Sequence, residues 1–317
     1  MLKYIHNDPE FGNLLAIVSN KLQINSALIE KDYWIMHTLY SLQKQGIEFE
    51  LKGGTSLSKG YGIIDRFSED IDIHIKSNFG LKIEGNSENK AVRNARKEFY
   101  DLLASKLNIN GIIAIQRDFE FDDKDKYRSG GIRLNYNGLS KQFAGVKEGI
   151  LLEVGFDQVT PNQAKNITSW VWQYLEENNL QNGYINNNAI DVLCYHPGYT
   201  FVEKLQTIVR KYRNKQLNNS SSAINFLRHY YDIYCLLQND EVIKFIGSEE
   251  YYNHKTNRIK GEDAAIELAK HPAFSLLNLA EKEAFKKQYK LTSGLYYKGQ
   301  PDFELIMLEI SKFKSIF

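Results

Sequence analysis

Hydrophobic positions change their period along the chain. From Phe11 to Leu42 they recur at helical spacing, first as Phe11, Leu14, Leu15 and Val18, then as Leu28, Ile29, Tyr33, Ile35, Met36, Leu39 and Leu42. That spacing predicts amphipathic helices within 9–45 that lay an apolar face on a sheet. From Ile47 the period shortens. Residues 47–52 predict a strand, and after a glycine-rich turn Ile71, Ile73 and Ile75 alternate with Asp70, Asp72 and His74, a period of two. Val92, Ala95, Phe99, Leu102 and Leu103 predict a helix over 91–106. Further strands are predicted at 112–115, 132–136 and 149–156, where Leu152, Val154 and Phe156 face one way and Leu151, Glu153 and Gly155 the other. Residues 76–90 are polar and read as a loop. The Asp-rich stretch Arg117–Lys126 lacks the glycine and glutamate positions of a calcium loop and reads as a solvated hairpin tip.

Past Pro161-Asn162-Gln163 the pattern becomes helical, at about 199–216, 223–238, 241–246, 262–270, 279–289 and 302–314, with one short strand inside 184–194. The expectation is an α+β chain: a mixed sheet with flanking helices over 1–160 and a mainly helical domain over 161–317.

Composition narrows the classes. A net charge of +1 gives no global basic bias, so nucleic-acid binding would need a local patch, and Arg210-Lys211-Tyr212-Arg213-Asn214-Lys215 is the best one. Two cysteines make no disulfide framework and no zinc spacing. No run of about 18 apolar residues exists to span a membrane, and no apolar leader opens the chain, so a cytoplasmic location is expected.

Candidate chemistry concentrates in Leu51–Ile75. Asp70 and Asp72 stand on one face of a strand, and adjacent carboxylates repel unless a cation lies between them. Upstream is Gly53-Gly54-Thr55-Ser56. Glycines let a backbone approach a phosphate, and hydroxyls and exposed N–H groups of such a turn hydrogen-bond phosphate oxygens. Together the parts suit a Mg²⁺-bound nucleoside triphosphate, since Mg²⁺ takes one or two protein carboxylates and the remaining oxygens from water and phosphate. Lys59 and Arg66, which flank the connector, read either as phosphate-neutralising cations or as ordinary exposed bases. Glu153, the lone glutamate of an apolar strand, is costly unless a metal or an arginine such as Arg133 meets it.

The combined pattern Lys52-Gly53-Gly54-Thr55-Ser56-Leu57 and Arg66-Phe67-Ser68-Glu69-Asp70-Ile71-Asp72 resembles the AbiEii/AbiGii nucleotidyltransferase toxins, within the DNA-polymerase-β-like nucleotidyltransferase superfamily. Ile29-Glu30-Lys31-Asp32-Tyr33-Trp34 resembles the N-terminal helix of that family. Glu203-Lys204-Leu205 with Arg210 downstream, and Arg228-His229-Tyr230-Tyr231-Asp232, resemble two of its later helices, with His229 a departure from the Asp of that family pattern. On residue spacing alone those two segments are core helices with surface ion pairs.

The resemblance implies a polymerase-β-like fold and transfer of a nucleotide from an NTP to an acceptor hydroxyl, with Mg²⁺ or Mn²⁺. It implies Asp70 and Asp72 as metal ligands, with Glu153 as third carboxylate. Gly53, Gly54, Thr55, Ser56, Lys59, Arg66, Ser68 and Arg210 would contact the nucleotide, and Lys204 and Asp232 would serve the reaction. It also implies a bacterial toxin–antitoxin or abortive-infection role, a cognate antitoxin, and an RNA acceptor such as the 3′ end of tRNA. A protein-nucleotidylating enzyme and a silent nucleotide-binding module are the alternatives.

Overall fold

A computed structural model of the chain describes residues 2–85, 88–141, 146–157, 159–218 and 224–317, with backbone alone at 215–218 and 224–225. The chain is α+β, built as two compact units: Met1–Gly60 with Ser68–Tyr195, and Tyr61–Phe67 with His196–Phe317.

In the first unit α1 (Phe11–Leu22) and α2 (Ser26–Lys44) lead into β1 (Phe49–Lys52). A short helical turn α3 (Gly53–Thr55), extended as a wider turn over Ser56–Gly60, comes before β2 (Asp70–Ile75). Then follow α4 (Lys90–Lys106), β3 (Ile112–Asp118), β4 (Ser129–Tyr136), β5 (Ile150–Gly155), β6 (Asn162–Ile167), α5 (Trp170–Glu177) and β7 (Ala189–Tyr195). The strands make one seven-stranded mixed sheet in the order β3-β4-β5-β2-β1-β7-β6. β2 runs antiparallel to β1 and parallel to β5, and β1 runs parallel to β7.

The alternation read for β2 holds: Ile71, Ile73 and Ile75 are buried, while Asp70, Asp72 and His74 are partly exposed on the other face. In α2 the expectation of an amphipathic helix needs correction. Residues 28–39 are buried on every side, Glu30, Lys31 and Asp32 included. Each of these charges holds a different part of the unit. Glu30 accepts N–H bonds from Leu139 and Ser140 at 2.8 Å. Lys31 donates to the Lys147 carbonyl at 2.6 Å and pairs with Glu69 at 3.4 Å. Asp32 pairs with Lys59 at 2.8 Å and accepts from the Trp170 N–H at 2.8 Å. Buried charges survive when they are paired and hydrogen-bonded.

The division expected near residue 160 lies instead at Tyr195/His196. Residues 161–195 supply β6, α5 and β7, which extend the sheet. The link is the parallel pairing of Glu50 and Leu51 with Leu193 and Cys194, a contact between distant stretches that leaves no local signal.

The second unit is helical. α6 (Pro197–Asn218) packs against α7 (Arg228–Leu236), α8 (Asp240–Phe245) and α9 (Glu249–Arg258), and α11 (Phe303–Phe313) packs on α7; α10 (Leu279–Lys290) precedes it. Residues 262–270, expected as a helix, hold only short 3₁₀ turns. Residues 61–67, which join the glycine turn to the approach to β2, belong to this unit. The Phe67 N–H donates to the Leu295 carbonyl at 2.7 Å, the Tyr297 N–H to the Asp65 carbonyl at 3.2 Å, and Arg66 forms an antiparallel bridge with Tyr296.

Candidate active site

The first cluster lies on the polar face of the sheet in the N-terminal unit. One transverse row crosses three strands: Lys52 on β1 is in register with Asp72 on β2, and Asp72 with Glu153 on β5. In-register side chains of adjacent strands share a face about 5 Å apart. Asp70 lies on the same face of β2. The carboxylate of Asp72 also lies directly against the glycine turn. A Cβ added to Gly53 would stand 2.1 Å from Asp72 Oδ2, and Gly53 has φ +74°. Strand carboxylates and glycine bend therefore meet at one spot.

Gly53 is consequently irreplaceable on two counts. An L side chain strains the left-handed backbone by about 1–2 kcal/mol, and its Cβ displaces the Asp72 carboxylate. Gly53→Ala is expected to lower the nucleotide transfer that the resemblance implies at least about 100-fold, since a misplacement of about 1 Å costs that much. Single-turnover assays on the folded variant check it, and unchanged activity would mean that the carboxylate needs no bare α-carbon beneath it.

Electrostatics mark the same row. Burial, reinforced by the negative charges of Asp72 and then Asp70, pushes the Glu153 carboxyl up to about 8, against the pull of Lys52 and Lys147. A carboxyl held protonated in the fold stabilises it fully below the usual 4.5 and loses that contribution as pH rises through about 8. Each pK unit is worth about 1.4 kcal/mol. Glu153 remains partly wetted, so in EDTA at pH 8 Glu153→Gln is expected to stabilise by about 2–3 kcal/mol. That gain should vanish near pH 4.5 in denaturant melts; a constant offset across this window would detach Glu153 from the aspartates.

The other expected phosphate contacts are placed as follows. Gly54, Thr55 and Ser56 are buried. The Thr55 hydroxyl donates to the Asp70 backbone carbonyl at 2.7 Å, tying turn to strand. Ser56 faces the Cys194 thiol. Ser68 is partly exposed just before β2. Lys59 is neither an exposed base nor open: its ammonium pairs with Asp32 and lies 4.7 Å from the Trp170 ring centre. Arg133 pairs with Asp118 at 2.6 Å rather than with Glu153.

A second cluster lies within the C-terminal unit. Asp232 is fully buried on α7 and is met by cations from two other segments. Arg66 donates bidentately, Nε to Oδ1 at 2.6 Å and Nη2 to Oδ2 at 2.7 Å, and its Nη1 donates to the Phe67 carbonyl. Lys204 from α6 stands 3.0 Å from Asp232 Oδ2 and donates to His229 Nδ1 at 3.3 Å. Burial opposes the Asp232 charge, yet Arg66 and Lys204 hold its carboxyl well below the usual carboxylate range. Burial, with Lys204 beside it, drives His229 well below its ordinary value, so its ring stays neutral. Arg66 is thus 4% exposed and committed to Asp232, not the open base its sequence position suggests. Arg210 is exposed farther along α6, and Glu203 pairs with Arg258 at 3.0 Å.

Sequence reading missed Lys52 and its place in the carboxylate row, for which β1–β2 register is the only signal. Among the described residues no three His, Cys, Asp or Glu side chains are arranged to hold a metal ion by themselves. The donor set nonetheless fits a hard cation. Asp70 and Asp72 offer the two carboxylates that Mg²⁺ usually takes, and their mutual charge, felt at Glu153, is what a cation relieves.

A family model described as nucleotidyl transferase AbiEii toxin, type IV TA system, matches residues 34–309, which include both clusters. No curated protein and no solved structure gives a significant match.

Proposed function

The chain belongs to the AbiEii family, the nucleotidyl transferase toxins of type IV toxin–antitoxin systems, and on that premise we propose that it transfers a nucleotide from an NTP to a hydroxyl of an RNA, such as a tRNA 3′ end, in a Mg²⁺- or Mn²⁺-dependent reaction. The observation that carries the reading is the Asp72 carboxylate lying on Gly53 with Glu153 in register beside it.

The acceptor oxygen forms a bond to the α-phosphorus while the bond to the β-phosphate oxygen breaks, and pyrophosphate leaves. Asp70 and Asp72 would hold the cation, with Glu153 as third carboxylate once it gives up its proton. The bound cation supplies charge neutralisation for the triphosphate and the attacking oxygen. Gly53 and Gly54 let the turn approach phosphate. The Lys59–Asp32 pair holds the far end of that turn, and Lys52 stands in the carboxylate row at its start. Thr55 holds it to β2 through the Asp70 carbonyl, and Ser68 joins the phosphate contacts from just before that strand. Lys204, held by Asp232 and through it by Arg66, would serve the reaction; this part rests on the resemblance of the α6 and α7 segments. Catalysis would come from positioning and electrostatics, with no covalent protein intermediate. Family membership implies an antitoxin counterpart.

Purified protein incubated with each labelled NTP, Mg²⁺ and total RNA tests the proposal. Label is expected in material that RNase removes and protease does not, and to be lost with EDTA. Label that protease removes instead would make a protein side chain the acceptor. No label with any NTP would sink the enzymatic reading.

A further inference from the structure

A cavity of about 640 Å³ lies wholly within the C-terminal unit, open to solvent, between residues 61–65, the exposed side of α7 and residues 298–301. Its walls are aromatic and amide-bearing: Tyr61, Tyr231, Tyr234, Gln238 and Gln300 all line it. Tyr231, Tyr234 and Cys235 recur at helical spacing, so one face of α7 forms a wall, and Gln238 continues it just past the helix end. Tyr231 is fixed in place, its hydroxyl accepting the Asp65 N–H at 3.1 Å and its ring meeting Tyr296 edge-on at 4.8 Å. Tyr234, half-buried, is tilted 31° to Tyr231 with ring centres 6.4 Å apart. The amide nitrogens are engaged: Gln300 Nε2 donates to the Tyr289 carbonyl at 2.8 Å, and Gln238 Nε2 to the Tyr234 carbonyl at 3.3 Å. Gln300 Nε2 also donates to the Thr292 hydroxyl at 3.2 Å, which leaves its oxygen to meet an N–H donor, while Gln238 keeps its oxygen and one N–H. The charges at the rim cancel, since Lys298 pairs with Asp65 at 2.9 Å.

We infer that this cavity holds the base of an unpaired nucleotide of the acceptor RNA, stacked on Tyr234 and Tyr61 and read by the two glutamine oxygens. Flat rings beside fixed amides are how single-stranded bases are held. Amide oxygens favour a base that carries an exocyclic amine. The balanced Lys298–Asp65 pair disfavours the triphosphate of a free NTP, which needs net positive charge, and tolerates the single phosphodiester of a strand. The position suits an acceptor: Asp65 and Tyr231 are the immediate chain neighbours of Arg66 and Asp232, so the base would lie beside the cluster assigned above to the reaction. The inference rests on that proposed function.

The test is equilibrium binding of a short fluorescein-labelled single-stranded RNA, without NTP or metal. A second RNA is identical but abasic at its 3′ terminus. Wild-type protein is expected to bind the abasic RNA at least about 10-fold more weakly, the worth of one stacked base. Tyr234→Ala should lose the same factor toward the intact RNA and be indifferent to the missing base, Tyr234→Phe should retain the preference, and Gln238→Ala, at an exposed position, should weaken it. Equal binding of both RNAs by wild type would overturn the assignment. ATP competing with the RNA in a Tyr234-dependent manner would overturn it too, by making this the pocket of the incoming nucleotide. Because the readout needs no turnover, the two failures are told apart: transfer that survives while the abasic preference is missing removes the pocket alone.

Discussion

Asp72→Ala is expected to abolish label transfer, by at least about 10³-fold, while the protein stays folded. The size follows from its double place. Asp72 stands in the carboxylate row and lies on Gly53, so the substitution takes away a metal ligand and the group that joins it to the glycine bend. A single preorganised electrostatic contact is worth about 10²–10³ in rate, and a ligand of the cation carries more. Stability should move the other way. Without Asp72 one like charge disappears from beside Glu153 and Asp70, so the metal-free variant should melt no lower than wild type at pH 8. Transfer assays and thermal melts on the same sample check both halves. Residual transfer within about 10-fold of wild type would remove the cation site from β2, because no other change could so directly strip it of a ligand.

Asp232→Ala is expected to act on the fold itself, lowering stability by about 3–5 kcal/mol, the usual consequence of leaving buried cations without their partner. Arg66 and Lys204 both face this carboxylate. The pH dependence has a definite sign. A carboxyl held below its usual 3.8 contributes stability that is present above that value and lost as pH falls through its folded value. The alanine variant should therefore differ most from wild type at neutral pH and least in strong acid. Urea midpoints across pH measure this, and the double variant Arg66→Met with Asp232→Leu should recover much of the loss, since apolar replacement of a buried pair is often neutral or better. Equal destabilisation by the single and double variants would show that the ions are not what holds this core.

Strand and helix periods made the N-terminal sheet legible wherever one face is buried and the other wet. β2 is the clearest case, because Ile71, Ile73 and Ile75 mark its buried side and leave Asp70 and Asp72 together on the other. β6 was hidden by Asn162, Gln163 and Asn166, polar residues tolerable on an edge strand. α2 misled by its period, since an amphipathic helix implies a wet face while partners from other segments satisfy its buried charges at 30–32. The carboxylate row needed register as well as period: Lys52, Asp72 and Glu153 are brought abreast only by β1–β2 and β2–β5 pairing. Arg66 was beyond local reading, because its partner is 166 positions away.

The excursion of residues 61–67 into the helical half has a consequence for how this molecule can be taken apart. A fragment begun at His196 would lack the guanidinium that answers Asp232 and the strand-like partner of Tyr296 and Tyr297. Truncation at that point is therefore expected to leave the helical piece with a buried acid unanswered and two tyrosines without their backbone partner.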